Sequence, residues 1–178
     1  FLLHGVTGSG KSEVFLQLAQ RVIKEGKQVL LLVPEIALTP QMMERVNKRF
    51  HGVAAIYHSA LNAQEKYEQY MLVKQHRVSI VVGTRSAVFM PFDHLGLIIM
   101  DEEHDLSYKQ DSSPRYHCRD MAMHRSITHA CPLILASATP SLESYARAYK
   151  GIYELIEMPK RINESLPKVR IIEMKKAL

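Results

Sequence analysis

Two short stretches of this sequence carry residue types whose spacing suits phosphate chemistry. Gly5-Val6-Thr7-Gly8-Ser9-Gly10-Lys11-Ser12 fits the pattern G-x-x-x-x-G-K-[ST]. Glycines let the backbone curl until successive N–H groups point at phosphate oxygens. A helix starting there adds partial positive charge. Lys11 then reaches the β- and γ-phosphates, and the Ser12 hydroxyl is placed to ligate Mg²⁺. The second stretch is Leu97-Ile98-Ile99-Met100-Asp101-Glu102-Glu103-His104, an apolar strand ending in carboxylates. In an open α/β sheet, ligands sit at strand C-terminal ends. Asp101 is therefore expected to hold Mg²⁺ through its hydration shell, and Glu102 to orient or deprotonate water for in-line attack on a γ-phosphate. His104 is expected to hydrogen-bond between this site and the next motif. Taken singly, the first stretch could be a glycine turn that binds nothing and the second a run of solvated acids. Together, each in its strand context, they predict one ATP site.

Such residues need a scaffold that brings distant loops to one edge. The sequence predicts strands at Phe1–His4, Gln28–Val33, Val53–Tyr57, Val78–Val82, Leu95–Met100, Pro132–Ala136 and Ile152–Ile156. Most are short and apolar on both faces, as in a parallel sheet covered by helices. Between them lie helical patterns. Val14, Phe15, Leu18, Ala19, Val22 and Ile23 form a 3.6-residue stripe, with Gly26 suited to the C-terminal cap. Thr39-Pro40 reads as an N-cap and first-turn proline opening a helix to about Arg49. Asn62 and Glu65 resemble a capping box. Further helices are expected over Cys118–His129 and Pro140–Tyr149. Strands alternating with helices predict a doubly wound, mostly parallel α/β sheet with helices on both faces.

The stretch Asp105–His117 is polar and punctuated, with two tyrosines and no helical stripe, and reads as a functional loop. After Met158 the pattern weakens. Residues 1–158 are expected to form one ATP-binding lobe and 159–178 a solvated linker. The absence of an initiator Met and of a closing element suggests a piece of a larger protein.

Composition sets outer limits. The 178 residues are 47% apolar and 23% charged, which suits a folded core rather than disorder. No apolar run approaches the roughly 20 residues a membrane helix needs. A net charge of +5 permits an anionic partner. Cys118 and Cys131 make no disulfide framework and fit a reducing cytoplasm. His104, His117, Cys118, His124, His129 and Cys131 match no zinc spacing, so no metal beyond nucleotide-bound Mg²⁺ is expected. Methionines such as Met42, Met100 and Met121 read as core filler.

The pair of motifs resembles the superfamily 2 helicases and translocases, whose second motif is DExH. Ser137-Ala138-Thr139 resembles their S-A-T motif. The stretches GVTGSGKSEVF, LLVPEIALTPQM, VVGTRSAVFMPF, LGLIIMDEEHDLSYKQDSSPRYHCRDMA and ASATPSLES resemble, more narrowly, the primosomal replication-restart helicases. Ser12, Phe15 and Cys118 depart from that family's usual Thr, Tyr and Ala. The resemblance implies a P-loop NTPase fold and the first of two RecA-like lobes. It implies a 3′-to-5′ DNA helicase restarting stalled replication forks and assembling the primosome, monomeric and nucleoid-associated. Implied partners are forked and single-stranded DNA, the second lobe, primosome proteins and single-stranded DNA-binding protein, with no membrane. Zinc is implied only for a segment outside this chain. The other functions open at this stage are a different superfamily 2 translocase and a nucleotide-gated interaction domain without its own turnover.

The resemblance also assigns residues. Pro34-Glu35 and Gly83-Thr84-Arg85 are implied to meet the DNA backbone. Backbone amides, a hydroxyl and a guanidinium can hold phosphates without reading bases. Ser137 and Thr139 are implied to link nucleotide state to unwinding, although Thr139-Pro140 is also a good helix start. In the loop, Tyr108, Lys109, Arg115 and Tyr116 interleave aromatic and basic groups, a pattern suited to single-stranded DNA. The alternative is that the two tyrosines pack the loop onto the domain.

Overall fold

The computed structural model describes residues 1–50 and 52–162. Strands β1 (Leu2–Gly5), β2 (Gln28–Leu32), β3 (Ala54–Tyr57), β4 (Ile80–Gly83) and β5 (Leu95–Asp101) alternate with helices α1 (Lys11–Lys24), α2 (Pro40–Phe50) and α3 (Ala63–Lys74). A two-stranded ribbon follows, β6 (Lys109–Gln110) and β7 (Tyr116–His117). The chain then runs through α4 (Cys118–Thr128), β8 (Leu133–Ser137), α5 (Leu142–Tyr149) and β9 (Leu155–Met158).

Seven strands form one sheet in the order β3-β4-β2-β5-β8-β1-β9. Every pairing in it is parallel. Successive side chains leave opposite faces of a strand. Leu30, Leu32, Ile98, Met100 and Leu135 therefore pack one face, with Val73 of α3 and Ala122 of α4. Val29, Leu31, Leu97, Ile99 and Ile134 pack the other, with Phe15 and Ala19 of α1 and Val46 of α2. This is the two-sided burial that the apolar strands predict.

Local signals in the sequence set most helix ends. The Asn62–Glu65 capping box forms, with Glu65 N–H donating to Asn62 Oδ1 at 2.9 Å and Asn62 N–H to Glu65 Oε2 at 2.8 Å. The Met42 amide donates to Thr39 Oγ1 at 3.2 Å, as expected of an N-cap. Two expectations are corrected. Helix α5 begins at Leu142, two residues beyond Pro140, because Ser141 is the cap that accepts from the Ser144 amide. The segment 105–117 is not wholly irregular, since it closes through the antiparallel β6–β7 ribbon. Among the described residues no helix is long and apolar enough to cross a membrane.

Candidate active site

Two β-strand ends at the C-terminal edge of the sheet, one strand apart, bring the two motifs together. The glycine turn leaves β1 and enters α1, and the carboxylates end β5. Strand β8 lies between β1 and β5. One cleft of about 1050 Å³ is lined by Thr7–Ser12, Asp101 and Glu102. Burial raises the Asp101 carboxyl, and the Lys11 ammonium offsets part of that rise, so these two groups share a field.

The turn is shaped to receive an anion. Gly8 and Gly10 have φ of 79° and 92°, a left-handed conformation that side chains disfavour. Lys11 is buried, and its Nζ donates to the Gly5 carbonyl at 2.7 Å. Ser9 Oγ is also buried and has no hydrogen-bond partner among the described residues. A buried hydroxyl without a partner is costly, and phosphate oxygens would satisfy it. Ser12 is exposed in the cleft wall. These donors fit a nucleotide triphosphate, with Ser12 and Asp101 placed to hold its Mg²⁺.

The acidic turn is tightly organised. Burial first, and then the Glu102 charge, push the Asp101 carboxyl up from 3.8 to about 6. A raised acid pKa means that the folded chain keeps a proton the unfolded chain has released. That contribution to stability is fully present below about pH 3.8 and lost as pH rises through about 6. Magnesium needs the ionised form. Mg²⁺–nucleotide affinity is therefore expected to climb from pH 5 to pH 7, by at most about tenfold per unit, and to flatten above that. Titration with a fluorescent nucleotide across this range checks it, and Asp101→Asn should remove the slope.

Beyond Asp101, Glu102 has φ of 45°. Its carboxylate lies 3.4 Å from Ser137 Oγ and 3.6 Å from His104 Nδ1. His104 Nδ1 is 2.8 Å from Ser137 Oγ, which also accepts from the Thr139 amide at 2.9 Å. The expected hydrogen-bond route from the acidic turn to Ser137 is thus present in the structure. Thr139 joins it through its backbone rather than its hydroxyl.

The predicted DNA-contacting residues divide into two groups. Tyr108 is fully buried and its hydroxyl donates to the Asp101 carbonyl at 2.7 Å. A base cannot stack on a side chain with no exposed face, so the stacking role expected of Tyr108 is corrected to one of anchoring the loop under the acidic turn. Pro34, Gly83 and Thr84 are also buried. A Cβ on Gly83 would strike the Tyr57 carbonyl and Ala87, and the Thr84 amide donates to Tyr57 O at 3.0 Å. Gly83 and Thr84 are thus held against the end of β3, and phosphate contact by Pro34, Gly83 and Thr84 remains a proposal. Arg85 donates from Nη1 to the Ser107 and Lys109 carbonyls at 3.0 and 2.7 Å, clamping the loop. Glu35, Lys109 and Arg115 are exposed. Glu35 accepts from Ser59 Oγ at 2.9 Å, and Lys109 pairs with Asp111 at 3.0 Å. Tyr116 is half-buried, edge-on to the exposed ring of Phe89 at 5.1 Å. Phe89 lies in the VVGTRSAVFMPF stretch but is not singled out there as a candidate site residue.

The burial of Tyr108 has a measurable consequence. Tyr108→Phe removes one hydrogen bond and should cost about 1 kcal/mol. Tyr108→Ala leaves a cavity and should cost about 3–5 kcal/mol. Chemical denaturation of the two variants checks the ordering; equal and negligible losses would contradict the buried position.

Sequence reasoning missed other residues. Glu103 is buried, with its carboxylate among Arg119, Ser141 and Ser144. Burial raises the Cys118 thiol to about 12, so this departure from the family pattern is an unreactive core residue at neutral pH. The first residues of the expected linker lie on the phosphate loop: the Ile162 amide donates to Gly8 O at 2.9 Å, and Arg161 lines the cleft. The rest of that linker, 163–178, lies outside the described residues.

Comparison with known proteins decides the family. Residues 1–148 match the DEAD/DEAH box helicase family. The chain belongs to the DEAD/DEAH box helicases. It is 51% identical to the replication restart protein PriA of Bacillus subtilis (strain 168) over 100% of its length, spanning 22% of that protein. It is 44% identical to the Treponema pallidum (strain Nichols) PriA over 99% of its length, and spans 27% of that protein. The chain thus covers about a quarter or less of these two relatives. Among solved structures, RecG bound to a three-way DNA junction matches 99% of this chain and 23% of that one, with a TM-score of 0.67 at 22% identity. The DUF1998 helicase MrfA bound to DNA matches 90% of this chain and 25% of its own, with a TM-score of 0.62 at 16% identity. These two likenesses support the helicase fold. Membership of the DEAD/DEAH family implies that the chain uses a nucleotide.

Proposed function

We propose that this chain is the ATP-binding lobe of a 3′-to-5′ DNA helicase that restarts stalled replication forks and takes part in primosome assembly. The observation carrying the reading is the single cleft that gathers the glycine turn, Lys11, Asp101 and Glu102. The glycine-turn amides, Lys11 and Ser9 would bind the triphosphate, while Ser12 and Asp101 would hold Mg²⁺. The metal supplies charge neutralisation between phosphates. Glu102 would position water, and its contacts with His104 and Ser137 would relay nucleotide state. Similarity to PriA proteins across the whole chain supports the restart role.

DNA is the proposed substrate, forked and single-stranded, with Glu35, Arg85, Lys109, Arg115 and Tyr116 nearest the contact surface. Exposed cations beside half-exposed aromatics suit a sequence-tolerant strand. A second lobe of the same protein, primosome proteins and single-stranded DNA-binding protein are the proposed partners of a monomeric, nucleoid-associated enzyme. The test is ATPase of the full-length protein with and without forked or single-stranded DNA. DNA is expected to stimulate turnover, and Lys11→Ala to abolish it. Turnover indifferent to both DNA forms would defeat the helicase reading.

A further inference from the structure

The third residue of the acidic motif does not line the cleft. Glu103 Oε1 accepts from the Ser141 amide at 2.6 Å. Its Oε2 accepts from the Ser144 and Ser141 hydroxyls at 2.8 and 3.1 Å, and lies 3.3 Å from Arg119 Nη1. The same Arg119 nitrogen donates to Ser141 Oγ and Ser144 Oγ at 3.0 and 3.1 Å. The Glu103 side chain has no exposure, and that of Arg119 has 13%. A buried carboxylate in this setting is held by a guanidinium, a helix N-terminus and two hydroxyls. Breaking such a set leaves an uncompensated charge, so its geometry resists displacement.

The residue next to this anchor is the strained one. Glu102 is in the left-handed region, which the Cβ of an L-residue disfavours. Such a conformation persists only where its neighbours over-determine it. On one side the Asp101 carboxylate accepts from the Glu102 amide at 3.0 Å. On the other, the Glu103 amide donates to Ala136 O at 3.0 Å, and the Glu103 side chain is fixed between α4 and α5. With hydrogen bonds on both flanks, the backbone between them is held in that turn. That turn aims the Glu102 carboxylate at Ser137 and the nucleotide cleft. Arg119 is the second residue of α4, directly after the β6–β7 ribbon, so the ion pair also ties the closing end of the 105–117 loop to the acidic turn.

We infer that Glu103, held by Arg119, is a positioning residue that keeps Glu102 in its left-handed, water-orienting conformation. This rests on the reading of Glu102 as the water-orienting group. Glu103 touches no substrate, and it acts through the backbone of its neighbour.

The test uses steady-state ATPase of the full-length protein together with crystal structures. Glu103→Gln keeps the shape and an acceptor for the Ser141 amide but loses the charge pairing. Arg119→Lys keeps the charge but loses the planar fork. Each is expected to lower kcat at least tenfold, with KM for ATP within twofold of the parent. Glu103→Ala should fall further, so that Gln gives partial rescue. The crystal structure of Glu103→Gln should show Glu102 departing from φ near +45°. A lower melting temperature with kcat unchanged in both conservative variants, or Glu102 unmoved in the crystal, would overturn the inference and leave Glu103 as a helix cap alone. Should Glu103→Ala fail to fold, the two conservative variants still decide. Full turnover by Glu102→Gln would instead sink the underlying assignment of Glu102, an outcome that the parallel assay distinguishes.

Discussion

Glu102→Gln should bind Mg²⁺–ATP as tightly as the parent while hydrolysing it about 10²–10⁴-fold more slowly, the loss typical of removing a positioned general base. The substitution keeps the volume and one acceptor oxygen. It removes the charge that would draw a proton from water. Binding should survive because, in the proposed reading, the triphosphate would be met by the glycine turn, Lys11 and Ser9 rather than by Glu102. Affinity should in fact rise slightly at neutral pH, because the Glu102 charge is one of the causes that raise the Asp101 carboxyl to about 6. Neutralising it lets Asp101 ionise at lower pH, which favours the metal. Isothermal titration for binding and a phosphate-release assay for turnover separate the two effects. Equal loss of both would mean that Glu102 is a binding group.

The same chemistry explains which parts of the molecule were readable from the sequence. Phosphate binding demands glycines, a lysine and a hydroxyl at fixed offsets, so Gly5–Ser12 announced itself. The sheet was equally plain, because strands buried on both faces, such as Val29–Leu32 and Leu97–Met100, must be continuous apolar runs. The motif singles out Asp101 and Glu102, but nothing in the sequence tells where the third carboxylate turns. Asp101 and Glu102 line the cleft, and Glu103 faces Arg119 and α5. That division depends on the left-handed turn at Glu102, a tertiary outcome that no local propensity favours. Tyr108 misled for a related reason. An aromatic in a polar stretch suits base stacking and loop anchoring equally, and only the nearby Asp101 carbonyl decides for anchoring. Arg85 was likewise legible as a cation but not as a clamp, because its acceptors are backbone carbonyls of Ser107 and Lys109, which carry no sequence signature.

The 178-residue chain assayed alone should hydrolyse ATP at least about 10³-fold more slowly than the full-length protein on DNA, since an arginine finger supplied from elsewhere is worth about 10³–10⁵ in related nucleotide hydrolases. The cleft explains the deficit. Its own cations include Lys11, whose Nζ donates to the Gly5 carbonyl, and Arg49, which is paired with Glu13 at 3.0 Å. Arg45 and Arg161 line the wall and make no ion pair among the described residues. Both are exposed, on α2 and after β9, and neither guanidinium has a hydrogen-bond or ion-pair partner among the described residues. A cation stabilises a transferring phosphoryl group only when it is held in place before the reaction, so these two contribute little without a second surface closing on them. Single-turnover hydrolysis with excess chain over ATP removes product release from the comparison. DNA-stimulated turnover by the isolated chain at the full-length rate would mean that Arg45 or Arg161 already supplies the missing charge, and Arg45→Ala and Arg161→Ala would then identify which.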